Sequence, residues 1–233
     1  MTNDHPAGDH ADRGIAHLLA GIKRFRQRFY EHNKALMQGL VQHGQHPPAL
    51  VIACSDSRVD PALLSGADPG ELFVLRNVAN LVPPYDPSHP MDGAGAAIEY
   101  AVRDLKVPNI IVLGHAHCGG IKAMLGAAGG QWPERDFIGK WVSLAFDASR
   151  LQLSEKDAQD KPVQASLERL RENPALVERA SVAGSLRNLL TYPWVRARVD
   201  AGDLVLHGWW FDLDTGDLWA TEPGGSRLLP VLD

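Results

Sequence analysis

Two short, wholly apolar runs constrain the fold of this 233-residue chain more than any other feature: Ala49-Leu50-Val51-Ile52-Ala53 and Ile110-Ile111-Val112-Leu113. Neither alternates apolar with polar side chains, so neither suits a half-solvated sheet. Both read as strands buried on two faces, as in a parallel sheet covered by helices. Each run opens directly into a polar cluster. Cys54-Ser55-Asp56-Ser57-Arg58 follows the first, and Gly114-His115-Ala116-His117-Cys118-Gly119-Gly120 follows the second. In an open α/β sheet, such strand ends are where ligands bind.

The remaining segments fit an α/β domain. Apolar residues at Ile15, Leu18, Leu19, Ile22, Phe25, Phe29, Leu36, Met37, Leu40 and Val41 recur at helical spacing. They predict a long amphipathic helix with a break near Asn33. Gly44 and Pro47-Pro48 stop it before a strand at 49–54. A second strand is expected at 71–75, and the four prolines between Leu81 and Asp92 mark a loop. A helix is expected at 93–105, a strand at 109–113, and another helix from Gly119 that ends in the stretch from Gly126 to Pro133. Residues 137–199 read as helical, with breaks at Asn173-Pro174 and Tyr192-Pro193. The turn Asp214-Thr215-Gly216-Asp217, between apolar segments at 203–207 and 218–221, predicts a β-hairpin.

The expected fold is therefore α/β: a central, mostly parallel β-sheet flanked by helices, with an N-terminal helical arm and a C-terminal β-hairpin. Residues 1–14 are expected as a flexible N-terminal tail, and 15–233 as a single domain that includes the arm at 15–44.

A formal charge of −5 argues against a nucleic-acid surface, which requires clustered Lys and Arg. No apolar run approaches the roughly 20 residues that span a bilayer. The polar segment Met1–Gly14 lacks the apolar stretch of a secretory signal, so a cytoplasmic protein without membrane partners is expected. That compartment keeps thiols reduced, and two cysteines do not make a disulfide framework.

Cys54, Cys118 and His115 together form a three-ligand zinc set that leaves one position open, as in a catalytic site. His-x-x-Cys puts two ligands on one turn, and the third arrives from a neighbouring strand. Competing readings remain. The cysteines could be small core residues, or they could hold a closed structural zinc with His117 or His207 as the fourth ligand. The sparse His5, His10 and His17 do not have zinc-ligand spacing.

These clusters resemble the β-class carbonic anhydrases. The resemblance is carried by Cys54-Ser55-Asp56-Ser57-Arg58-Val59, Arg76-Asn77-Val78-Ala79-Asn80 and Gly114-His115-x-x-Cys118-Gly119-Gly120. It continues more weakly through Ser185–Pro193 to the final hairpin. Leu81–Tyr85 and Gly95–Tyr100 are similar to the plant-type branch in particular. The resemblance implies zinc on Cys54, His115 and Cys118, and zinc-dependent reversible hydration of carbon dioxide to bicarbonate and a proton. It also implies a catalytic dyad of Asp56 and Arg58, whose planar fork matches a carboxylate. Gln45, Phe73, Tyr100 and Gly119 fall at substrate-binding positions of the family, and self-association as a dimer or higher multiple is implied. Without the resemblance, Phe73 and Tyr100 read as core aromatics, and Asp56–Arg58 as an exposed ion pair. The rival functions are turnover of another small linear substrate, such as carbon disulfide or cyanate, and a non-catalytic zinc-stabilised module.

One departure from the family has a functional consequence. Some bacterial members carry a second, inhibitory bicarbonate site built from Trp, Arg and Tyr. Arg76 is present, but Val51 and Phe211 stand where the Trp and Tyr would be. Without the indole N–H and the phenol, inhibition by bicarbonate should follow a simple hyperbola. A steep sigmoidal inhibition curve would contradict this.

Overall fold

A computed structural model describes residues 7–89, 91–128, 135–152, 154–156, 162–164, 166–222, 225 and 227–231. Residues 1–6 of the expected tail and 129–133 of the stretch expected to end the Gly119 helix lie outside them. The chain divides into two compact units, Met1–Gln45 and His46–Asp233.

In the first unit, α1 (Ala7–Arg26) runs into a wider π-type turn over Gln27–His32. It thus begins inside the segment expected as a tail. Asn33, with φ −124° and ψ 49°, interrupts the helix before α2 (Lys34–His43), at the position the sequence indicated. Phe25 and Phe29 pack with ring centroids 4.8 Å apart.

The second unit is built on a sheet. In chain order its strands are β1 (Ala49–Cys54), β2 (Leu72–Asn77) and β3 (Asn109–His115). A short antiparallel pair, β4 (Ser154–Lys156) and β5 (Pro162–Gln164), lies outside that sheet. It is followed by β6 (Val205–Phe211), β7 (Leu218–Thr221) and β8 (Leu228–Pro230). The main sheet has the order β2-β1-β3-β6-β7-β8. The first four strands are parallel, and β6-β7-β8 is an antiparallel meander. The expected hairpin is β6–β7, though it pairs through Trp209–Phe211, beyond the segment 203–207 expected as its first strand, and β8 extends it by a strand that the sequence reading did not include. Residues 154–164 were read as helical, yet they include a strand pair. Pro162 cannot donate a helical hydrogen bond and clashes with the preceding turn.

The helices of this unit are α3 (Pro61–Ser65), α4 (Gly93–Glu99), α5 (Gly119–Ala127), α6 (Ile138–Gln152), α7 (Leu167–Glu172), α8 (Pro174–Leu189) and α9 (Pro193–Asp200). Their starts follow local chemistry. Asp60 Oδ1 accepts from the N–H groups of Ala62 and Leu63, and Asp92 caps Ala94 and Gly95 in the same way. Pro174 and Pro193 occupy first-turn positions, where a missing N–H costs nothing.

Alternate residues of β1 serve opposite faces. Leu50 and Ile52 join Ile110, Val112, Ile98, Val182, Leu189 and Val195 in one core, beneath α4, α8 and α9. Val51 and Ala53 join Ile111 and Leu113 on the other face, with Trp209, Phe211 and Leu218. Burial on both faces explains the unbroken apolar runs, and each fully buried Leu, Ile or Val contributes about 1.5–3 kcal/mol. The Arg179 guanidinium lies 4.2 Å from the Trp210 ring centroid and 4.7 Å from that of Trp219, which ties α8 to the antiparallel edge.

Gly114 sits where α8 crosses β3. A Cβ there would come within 2.6 Å of Val182 Cγ2. Gly114→Ala should therefore lower unfolding free energy by about 1–3 kcal/mol through overpacking, read as a reduced urea midpoint.

Candidate metal centre

The parallel pairing of β1 and β3 generates the site. Leu50 aligns with Ile110 and Ala53 with Leu113, so both strands end at the same edge. Cys54 ends β1 and His115 ends β3, while Cys118 precedes the first turn of α5. One ligand atom from each lies within 4.8 Å of the others. All three residues are buried, His115 completely. Among the described residues they form the only such group of His, Cys, Asp or Glu.

The donor set suits a metal. His115 Nδ1 lies 2.8 Å from the Ala116 carbonyl oxygen, which only accepts, so Nδ1 carries the proton. That leaves the Nε2 lone pair buried with no hydrogen-bond partner. Unpaired buried polar atoms are rare and demand an explanation, and a metal ion supplies one here. Ala79 N–H donates to Cys54 Sγ at 3.4 Å. Ala79 reaches the sulfur through a left-handed conformation, φ 66°, within a turn that the Asn77 side chain closes onto the backbone of Leu81. Gly120 admits this turn, because a Cβ there would meet Val78 Cγ1 at 2.8 Å and Ala79 Cβ at 2.9 Å.

One hydrogen bond between Cys54 and Cys118 acts on the two thiols in opposite directions. A hydrogen bond from Cys118 is the main force drawing the Cys54 thiol well below the usual thiol range, against the opposing effect of burial. The same bond, with burial, pushes Cys118 far up. Burial depresses the His115 imidazole, but the neighbouring Cys54 sulfur outweighs it and raises the net value. A cation at the centre relieves this competition by favouring both thiolates.

Beside the cluster, Arg58 grips Asp56 with two side-chain bonds, Nε to Oδ1 at 2.9 Å and Nη2 to Oδ2 at 2.8 Å. The Arg58 backbone N–H adds a third, also to Oδ1, at 3.0 Å. The bonds from Arg58 hold the Asp56 carboxyl well below the usual carboxylate range. Arg58 Nη2 also donates to the His117 carbonyl at 3.2 Å. Arg76 stabilises the same loop from behind. It donates to the carbonyls of Cys54 (2.9 Å) and Asp56 (2.6 Å) and to Asp60 Oδ2 (2.7 Å). Val51 and Phe211 line an apolar cleft of about 330 Å³ with Leu113 and Trp209, and Arg76 is not among its lining residues.

The residues weighed as a fourth ligand are engaged elsewhere. His117 Nε2 meets Asp214 Oδ2 at 2.7 Å, and His207 Nε2 meets Asn109 Oδ1 at 3.0 Å. Phe73 and Tyr100 form a pair with ring centroids 5.8 Å apart. Phe73 aligns with Leu50, whereas Asn77 aligns with Cys54. The pair therefore lies four residues down the strand, about 13 Å from the level of Cys54. Gln45 ends the N-terminal unit. At Gly119 a Cβ would meet nothing within 4 Å, so packing does not demand glycine there.

Sequence reasoning missed Glu178. It is 4 % exposed, burial pushes its carboxyl upward, and Oε1 accepts the Cys118 N–H at 3.2 Å. A signal was present: Glu178 stands three and four residues before Ser181 and Val182, on the buried stripe of α8.

The comparisons with known proteins agree with this geometry. A family model described as carbonic anhydrase matches residues 49–218. A carbonic anhydrase from Synechocystis is 37% identical over 208 residues, covering 88% of this chain and 70% of the relative. Among solved structures, the β-carbonic anhydrase CcaA is 32% identical with a TM-score of 0.73, over 95% of this chain and 93% of its own. A tetrameric β-carbonic anhydrase from Sordaria macrospora is 26% identical with a TM-score of 0.68, over 94% and 97%. The chain belongs to the β-carbonic anhydrase family.

Removing either sulfur should abolish the centre. Purified Cys54→Ala or Cys118→Ala should lose bound zinc on elemental analysis, and full occupancy in either variant would refute the ligand set.

Proposed function

We propose that this chain hydrates carbon dioxide reversibly to bicarbonate and a proton, with zinc held by Cys54, His115 and Cys118. The observation that carries the reading is the convergence of three buried ligand atoms beside a carboxylate held in a two-point grip by Arg58. Membership of the carbonic anhydrase family supports the reaction. The engagement of His117 and His207 elsewhere favours an open site over a closed structural one.

When bound, zinc is a Lewis acid that lowers the pKa of water from 15.7 to about 7, so hydroxide is available at neutral pH. The protein's own groups orient the reaction. Asp56 stays ionised and acceptor-only, so it can take a hydrogen bond from the attacking oxygen and aim its lone pair at carbon. Arg58 occupies both Asp56 oxygens and keeps them from competing for the metal. Gly119 leaves space beside Cys118 for substrate. Gln45 orients bicarbonate oxygens, and Phe73 with Tyr100 forms an apolar slot for carbon dioxide.

The strand register separates Phe73 and Tyr100 from Cys54 of the same chain by about 13 Å. Tyr100 is 48% exposed. Both facts favour a pocket completed by self-association, in a dimer or a higher multiple. Exposed Ile15, Leu18, Leu19 and Ile22 on the arm also favour self-association. The plant-type branch, a single domain from residue 15 onward and a cytoplasmic location complete the reading. Among the described residues, no helix is long and apolar enough to cross a membrane.

Stopped-flow hydration and elemental analysis on the same sample test the proposal. Wild type should carry zinc and turn over carbon dioxide; zinc-loaded protein without turnover would overturn the reading. Arg58→Ala should keep its metal yet lose at least about tenfold in kcat, because Asp56 is then free to occupy the open position. An unchanged rate would remove the dyad from the mechanism.

A further inference from the structure

His117 lies between two of the metal ligands, but its side chain faces away from them. Its backbone is left-handed, φ 56°, a strained conformation for a residue with a Cβ. Such strain persists only where surrounding contacts over-determine it. Three contacts do so here. The preceding Ala116 N–H bonds to the Phe211 carbonyl at 2.9 Å, extending the β3–β6 pairing by one rung. The imidazole Nε2 meets Asp214 Oδ2 at 2.7 Å, and the His117 carbonyl accepts from Arg58 Nη2 at 3.2 Å.

Asp214 is itself firmly placed. It sits on the β6–β7 turn, where Asp212 N–H bonds to the Asp217 carbonyl and Gly216 N–H to the Asp212 carbonyl, at 2.9 and 2.8 Å. Asp212 Oδ1 further accepts the Asp214 N–H at 2.9 Å. A continuous set of bonds thus runs from this turn, through the His117 side chain and peptide, to the outer nitrogen of Arg58.

We propose that Asp214 is a positioning residue for the hydration reaction: by holding His117 it fixes the carbonyl that seats Arg58, and so keeps Asp56 gripped and away from the metal's open position. This rests on the carbonic anhydrase reading above. The His117 and Asp214 side chains are 59% and 70% exposed, so the pair contributes little to global stability. Its effect is local, on the geometry of the dyad.

The test uses full-length Asp214→Ala in the wild-type and Arg58→Ala backgrounds, with Asp214→Asn as an isosteric variant that keeps an oxygen for Nε2–H. Asp214→Ala should retain zinc and its melting temperature while kcat falls about three- to tenfold, the scale of one ordinary net hydrogen bond. Asp214→Asn should fall less. In the Arg58→Ala background the same change should cost no further turnover, because the effect passes through Arg58. Phenylglyoxal, followed by peptide mass spectrometry, should label Arg58 faster in zinc-loaded Asp214→Ala than in wild type. Equal losses in both backgrounds, or wild-type labelling with wild-type kcat, would overturn the proposal. Should wild type fail to hydrate carbon dioxide, the carbonic anhydrase reading falls, and the labelling rate alone decides whether Asp214 seats Arg58.

Discussion

The register between β1 and β3 is the constraint on which the site depends. Because Ala53 pairs with Leu113, the ends of the two strands arrive together, and Cys54 meets His115 and Cys118 within one small volume. A slip of β1 by one residue would send its side chains to the opposite face. Cys54 would then leave the cluster, and Leu50 and Ile52 would leave the core beneath α8. The packing that stabilises the sheet and the geometry that collects the ligands are therefore one requirement. The parallel arrangement also explains why the ligands lie far apart in sequence, since a crossover must carry the chain back to start each new strand.

Collecting two sulfurs and an imidazole in a buried volume is electrostatically demanding, and the neighbouring groups reflect this. Ala79 N–H and the start of α5 offer positive character to the sulfurs. Glu178 takes the Cys118 N–H from the other side, as a buried carboxyl whose ionisation is resisted by its surroundings. Arg76 binds two carbonyls of the Cys54–Asp56 segment and the carboxylate that caps α3. With all three directions of its guanidinium engaged, Arg76 rigidifies the loop that carries the dyad. The dyad is a second layer of the same design. A fork of donors from Arg58 holds the Asp56 carboxylate in one orientation.

Much of this was legible from residue patterns, for identifiable reasons. The bounds of β1 follow from an apolar run between Pro47-Pro48 and a polar cluster, and both signals are local. The convergence of Cys54, His115 and Cys118 was legible because strand ends in α/β sheets gather chemistry, and because Cys, His and Cys are chemically distinctive. The β4–β5 pair was missed because a helical pattern was extended across Pro162. Glu178 was missed because a Glu in a helix reads as solvent-facing until its neighbours are seen to be buried. His117 was weighed as a ligand because it stands between His115 and Cys118 in the sequence. The left-handed φ at that residue redirects the imidazole to Asp214.

By itself the sequence determined the fold class, the two strands that meet at the site, and the Cys54, His115, Cys118 and Asp56–Arg58 groups that gather there. These rest on apolar periodicity and on functional groups, which are properties of short stretches of chain. Tertiary structure decided which of the nearby histidines faces the sulfurs and which atom of His115 is left unpaired. It also decided where Phe73 and Tyr100 fall along the sheet, and which distant turn braces the dyad. Those outcomes depend on register and on single backbone torsions, and such quantities take definite values only once non-local strands have paired.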